Sequence, residues 1–206
     1  EMPRLNNDRT EDLSQDQVAS LLSAISVTKH KKAGNMMLLA LYTGMRRGEM
    51  FNLKWEHIDW ARGFINLVGK DDGLGAKSGH SERIPLNEMA RGVLASIPKG
   101  ISEYVFPGKG GGRLVDIRKQ ADALKREAGL PLNFRPFHGL RHVYASMLAS
   151  SGKVSMYELQ KLMTHKSPAM TQRYAHLRDE ALMRASEVAK DVIGEILNGR
   201  TGKNKN

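Results

Sequence analysis

The sequence predicts a mainly α fold with a small antiparallel β-sheet (α+β). Three observations predict it. Apolar residues recur at helical spacing along most of the 206 residues. Two β-like runs, 64–68 and 82–86, flank a segment with four glycines (Gly69, Gly73, Gly75, Gly79) that suits a long hairpin tip. A composition of 40% hydrophobic and 26% charged residues, with no cysteine, describes a globular domain with a buried core and no disulfides. The same composition excludes collagen-like, mucin-like and wholly disordered chains. The missing cysteines exclude thiol catalysis and a Cys-based zinc site. No apolar run approaches the roughly 20 residues that span a bilayer.

Taken in order, residues 1–12 are polar and unpatterned, as in a linker or tail. The chain opens on Glu1 without a signal-peptide pattern, so a further N-terminal domain is expected to be missing. Ser14 and Gln17 form a capping box ahead of Val18, Leu21, Leu22 and Ile25 at helical spacing. Residues 36–42 read as an apolar helix with Gly44 as its C-cap, and 46–53 as a short helix. After the two strands, 87–97 is helical, 104–106 suits a short strand and 108–112 a loop. Four more helices are expected at about 114–128, 138–150, 155–163 and 179–197, before a polar tail at 198–206.

Thirty-two Lys and Arg face 22 Asp and Glu, a net charge of +10. An excess of this size points to a polyanion such as nucleic acid. The excess is local. Residues 131–178 hold seven Lys or Arg and one acid, Glu158, whereas residues 1–30 hold three basic and five acidic residues.

Three clusters carry side chains suited to chemistry. In Thr43-Gly44-Met45-Arg46-Arg47-Gly48-Glu49, Arg46 shares a helical stripe with Met50 and Leu53, which calls for an anionic partner. Glu49, one turn on, could supply it in a purely structural ion pair, and spacing alone leaves a functional role for the arginine open. Arg47 shares a face with Met50 and Phe51, so spacing does not separate the two arginines. In His138-Gly139-Leu140-Arg141-His142, His138 and Arg141 lie one turn apart and can present an imidazole and a guanidinium to one phosphate. His138 and His142 also have metal-ligand spacing, but the metalloprotease pattern needs Glu where Gly139 stands, so no metal is expected. The third cluster runs from Leu162-Met163-Thr164-His165-Lys166 to Thr171-Gln172-Arg173-Tyr174-Ala175-His176 and sets Tyr174 among basic and histidine side chains. Gly73-Leu74-Gly75-Ala76-Lys77-Ser78 fails as a P-loop, because Ala76 precedes Lys77 and a strand follows.

In this order the clusters resemble the tyrosine recombinase (phage integrase) family, over residues 13–197. The family's first box, T-G-x-R-x-x-E, matches residues 43–49 and selects Arg46 over Arg47. Its hairpin lysine looks like Lys77, ahead of Arg83-Ile84-Pro85-Leu86. Its H-x-L-R-H box matches His138, Leu140, Arg141 and His142; its third-box histidine matches His165, and its nucleophilic tyrosine Tyr174. Two positions depart from the pattern. Gly139 stands where Asp is common, and Met163-Thr164 replaces Leu-Gly before the histidine.

The resemblance implies an integrase catalytic-domain fold at 13–197, without the family's N-terminal DNA-clamping domain. It implies attack of the Tyr174 hydroxyl on a DNA phosphate, giving a 3′-phosphotyrosyl link and a free 5′-hydroxyl, with no ATP, metal or other cofactor. Arg46 and Arg141 would stabilise the transition state, His165 would add a hydrogen bond, His138 would handle the tyrosine proton, and Lys77 would protonate the leaving oxygen. Nearby cations are expected to favour the Tyr174 phenolate. The implied partner is double-stranded DNA, held by a homotetramer assembled through 179–197 from subunits that are monomers as readily without DNA. The implied setting is the bacterial cytoplasm, at the nucleoid. Two alternatives are a type IB topoisomerase-like nicking-closing enzyme and a non-catalytic DNA-binding regulator.

Overall fold

A computed structural model describes residues 12–67 and 82–201, with side chains to residue 188. Helix α1 (Gln15–Val27) starts at the expected capping box. The Ser14 hydroxyl accepts from the Gln17 amide at 3.2 Å, and the Gln17 side chain accepts from the Ser14 amide at 2.9 Å. Helix α2 (Lys31–Thr43) is the central rod, with Met36, Met37, Leu39 and Ala40 fully buried. It ends at Gly44, whose φ of 67° lies in the left-handed region. Helix α3 (Arg47–Phe51) follows after two residues.

Strands β1 (Ile58–Asp59), β2 (Phe64–Leu67) and β3 (Glu82–Pro85) form an antiparallel sheet in that order. Ile58 and Ile84 both stand opposite Ile65, so three buried isoleucines share the face turned to the core. Two residues are too few to show alternation, which is why β1 is not visible in the sequence. The expected strand at 104–106 is reduced to a single bridge between Lys54 and Tyr104. The four-glycine segment and Lys77 lie outside the described residues.

Helices α4 (Glu88–Ser96) and α5 (Arg118–Glu127) both pack on α2. Helix α5 begins later than expected, where Asp116 accepts from the Arg118 amide at 3.0 Å. Helix α6 (Pro136–Ser150) begins two residues early, because Pro136 suits the first helical turn. It makes the most extensive contact with α2 and buries both Arg141 and His142. Helices α7 (Met156–Leu162), α8 (Ala169–Gln172) and α9 (Ala175–Thr201) complete the fold. Helix α9 starts immediately after Tyr174, four residues ahead of expectation. A second apolar cluster of Ala145, Ala149, Leu159, Met163 and Tyr174 lies beside the main core. No helix among the described residues is long and apolar enough to cross a membrane.

The structure explains Gly139. A Cβ built there would lie 2.2 Å from the Phe134 ring, which is itself buried. Gly139→Ala is therefore expected to cost roughly 1–3 kcal/mol of stability through overpacking, despite the better helix propensity of alanine. Urea unfolding measures it, and a gain in stability would contradict the packing argument.

Candidate active site

The Thr-Gly-x-Arg turn is built from local bonds. The Thr43 hydroxyl donates to the Leu39 carbonyl at 2.5 Å and accepts from the Met45 amide at 3.2 Å. A Cβ on Gly44 would lie 2.7 Å from the Tyr144 ring, so the turn can press against α6 only without a side chain. Arg46 then sits at the N-terminus of α3. One Glu49 oxygen accepts from its amide at 2.7 Å, and the other accepts from Nη1 at 2.7 Å. The ion pair expected from spacing is therefore present. The structure also separates the arginines: Arg46 is half-buried and bonded, Arg47 exposed.

Arg46 and Arg141 converge on the segment that follows α7. Arg46 donates from Nη1 to the Thr164 hydroxyl at 2.6 Å and from Nη2 to the Thr164 carbonyl at 2.9 Å. Arg141, only 7% exposed, donates to the Gly44 and Met163 carbonyls. One guanidinium thus ties together the first and third clusters from a seat in the second. Burial, and then the Arg46 charge, lowers its pKa to about 10, which leaves it protonated at neutral pH. Both arginines line a cleft of about 590 Å³, together with Arg47, Arg118, Lys125 and Arg135 and a single acid, Asp122. His138 lies on the same wall.

The histidines hold the tyrosine. The Tyr174 hydroxyl lies 2.5 Å from His142 Nδ1, and His142 Nε2 lies 2.8 Å from His138 Nε2. His165 Nδ1 meets the hydroxyl of buried Thr171 at 2.8 Å. His142 is the residue that sequence reasoning passed over. The sequence shows it as the end of the H-x-L-R-H box and as half of a pair with metal-ligand spacing, with no role of its own, whereas one helical turn lets it bridge His138 to the tyrosine. His138, expected to handle the tyrosine proton, reaches the hydroxyl only through His142. Burial opposes the cations expected to favour the Tyr174 phenolate, which do pull in that direction. Tyr174 is 1% exposed, and burial pushes its pKa up to about 12 against the opposing pull of Arg173 and Arg141. Desolvation outweighs the cations, so the resting side chain is a neutral phenol.

Arg46, His138, Arg141, His165 and Tyr174 are thereby placed around α6 and the segment after α7. Lys77 lies outside the described residues.

Burial lowers the pKa of His142 to about 4, with His138 adding to it, and that of His165 to about 4, with Arg141 and Arg46 adding to it. Both fall below the unfolded value near 6.5. The stability they contribute is fully present above about pH 6.5 and is lost as pH falls toward 4. For His142 this amounts to about 3 kcal/mol. Unfolding followed across that window should show the loss, and His142→Gln should flatten part of it; an unchanged slope would contradict the assignment.

A profile of the phage integrase family matches residues 11–181. The shufflon-specific DNA recombinase of Escherichia coli is 30% identical over 181 residues, covering 85% of this chain and 42% of that protein. The integrase of Salmonella phage P22 is 33% identical over 181 residues, covering 81% of this chain and 45% of that protein. The chain thus spans less than half the length of these two relatives. Among solved structures, the XerA recombinase superposes with a TM-score of 0.66 at 25% identity, over 86% of this chain and 62% of that one. The catalytic domain of bacteriophage HP1 integrase has the same fold, with a TM-score of 0.61 at 21% identity, over 85% of this chain and 93% of that one. With the profile matching most of its length and the three motif clusters folded against one another, this chain belongs to the phage integrase family.

Proposed function

We propose that residues 13–197 form the catalytic domain of a site-specific DNA recombinase, which cleaves and rejoins strands through a 3′-phosphotyrosyl intermediate. One observation carries the reading. Arg46 and Arg141, 95 residues apart in sequence, bond to adjacent residues, Thr164 and Met163, and line one basic cleft.

The roles follow from charge. A phosphodiester carries one negative charge, and about two develop in the pentacoordinate transition state. Fixed guanidinium donors therefore bind the transition state more strongly than the ground state. His165 is neutral, and in the tautomer where the Thr171 hydroxyl donates to Nδ1 its proton sits on Nε2, where it can meet a phosphate oxygen. In the resting chain the Tyr174 side chain is 1% exposed and its hydroxyl is held by His142. The chain of rings gives its proton a route. Tyr174 donates to His142 Nδ1, His142 Nε2–H donates to His138 Nε2, and exposed His138 passes the proton to solvent. Lys77 protonates the departing 5′-oxygen.

The same reading assigns the basic cleft to double-stranded DNA, α9 to contact between subunits of a tetramer on that DNA, and the protein to the cytoplasm. The test uses nicked duplexes of randomised sequence, which trap the covalent step because the released fragment diffuses away. A denaturing gel should show protein joined to DNA, and none would favour a regulator. Trapped sequences rebuilt as two marked duplexes should then exchange strands; relaxation of supercoils without exchange would favour the topoisomerase-like alternative.

A further inference from the structure

Thr164 is the sole non-glycine residue with positive φ among the described residues, at 47°. A β-branched side chain seldom adopts that region. The end of α7 requires it. The Thr164 amide donates to the Lys161 carbonyl and the His165 amide to the Gln160 carbonyl, both at 3.0 Å, which is a Schellman ending whose left-handed residue is ordinarily glycine. Glycine would serve the backbone with less strain. The threonine side chain therefore has a separate use: its hydroxyl accepts from Arg46 Nη1 at 2.6 Å.

A hydrogen count shows what that use is. A guanidinium has five N–H donors. Both Nη1 hydrogens of Arg46 are engaged, one by Glu49 at 2.7 Å and one by the Thr164 hydroxyl at 2.6 Å. One Nη2 hydrogen goes to the Thr164 carbonyl at 2.9 Å. The Nε hydrogen and the second Nη2 hydrogen have no partner among the described residues, and 36% of the side chain is exposed. These two lie side by side on one edge, the spacing that meets two oxygens of a phosphate.

We propose that Thr164 is a positioning residue for Arg46: its hydroxyl and carbonyl hold the far end of the guanidinium and leave the Nε–Nη2 edge for one phosphodiester. The assignment of that edge to phosphate rests on the strand-cleaving function proposed above; the clamp itself does not.

The test reads Arg46 by NMR of guanidinium nitrogens, identified with Arg46→Lys, in the whole chain. Thr164→Val keeps the branched shape and removes the acceptor, and Thr164→Ser keeps the acceptor. The parent and Thr164→Ser should show separate, slowly rotating Nη signals for Arg46, and Thr164→Val should merge them. Dimethyl phosphate, a minimal diester, should shift the Arg46 Nε signal in the parent and bind roughly tenfold more weakly to Thr164→Val, as expected for a disturbed charge-assisted bond. If melting shows Thr164→Val to be unfolded, Thr164→Gly takes its place with the same expectation. Merged signals in the parent, parent-like behaviour of the hydroxyl-free variant, or failure of serine to restore it would overturn the clamp. An unmoved Nε signal in the parent would overturn the phosphate assignment of the edge. A parent with Arg46 held fast that never joins to DNA would leave the clamp standing and count against the proposed function instead.

Discussion

Tyr174→Phe is expected to keep its affinity for DNA and to form no covalent adduct. The ring is packed in the cluster with Ala145, Ala149, Leu159 and Met163, and phenylalanine preserves that packing. The hydroxyl is the only atom removed. Its loss leaves His142 Nδ1 without its partner in a buried setting, worth about 1–3 kcal/mol of stability. The variant should therefore fold, melt somewhat earlier and bind DNA with the parental salt dependence. Adduct formation should fall below detection, because no second hydroxyl replaces the nucleophile. An adduct from this variant on a denaturing gel would move the nucleophile to another residue and dismantle the proposed chemistry.

Arg141→Ala carries the second large effect, and here structure and catalysis fall together. The side chain is buried and satisfies the Gly44 and Met163 carbonyls. Truncation exposes both acceptors to a dry interior, at about 1–3 kcal/mol each. A single preorganised donor to a developing oxyanion is typically worth ~3 kcal/mol, so cleavage should fall by at least about a hundredfold. Arg141→Lys separates the two contributions. It retains the charge, but an ammonium cannot reproduce a planar fork reaching two carbonyls and a phosphate. It should recover stability in part and cleavage little. Near-parental cleavage by either variant, measured on material confirmed as folded, would remove Arg141 from the site.

Much of the fold was legible because its signals are local. The Ser14–Gln17 box, the apolar run of α2 and the Gly44 cap each lie within a few residues of sequence. Strand β1 and helix α8 were not legible, being two and four residues long and held by their surroundings. In the site, motif order singled out the arginines, His138, His165 and Tyr174 as candidates, and the fold brings them near one another. What it could not show was depth. The burial that turns Tyr174 into a weak acid comes from residues on α6 and α7 well upstream in sequence. The bridging place of His142 likewise depends on a hydroxyl 32 positions away. Thr164 looked like a loss of the expected glycine, and its bond to Arg46 spans 118 positions.

The central claim is that Arg46, Arg141 and Tyr174 act on one phosphate. It is tested most directly by replacing DNA phosphates one at a time with neutral methylphosphonates and measuring cleavage by Arg46→Ala and Arg141→Ala. If both arginines neutralise the reacting group, both variants should regain activity at the same position, the one whose phosphorus becomes joined to Tyr174. Recovery at two different positions, or at none, would mean that the two guanidiniums do not share a target and that the cleft serves only to hold DNA.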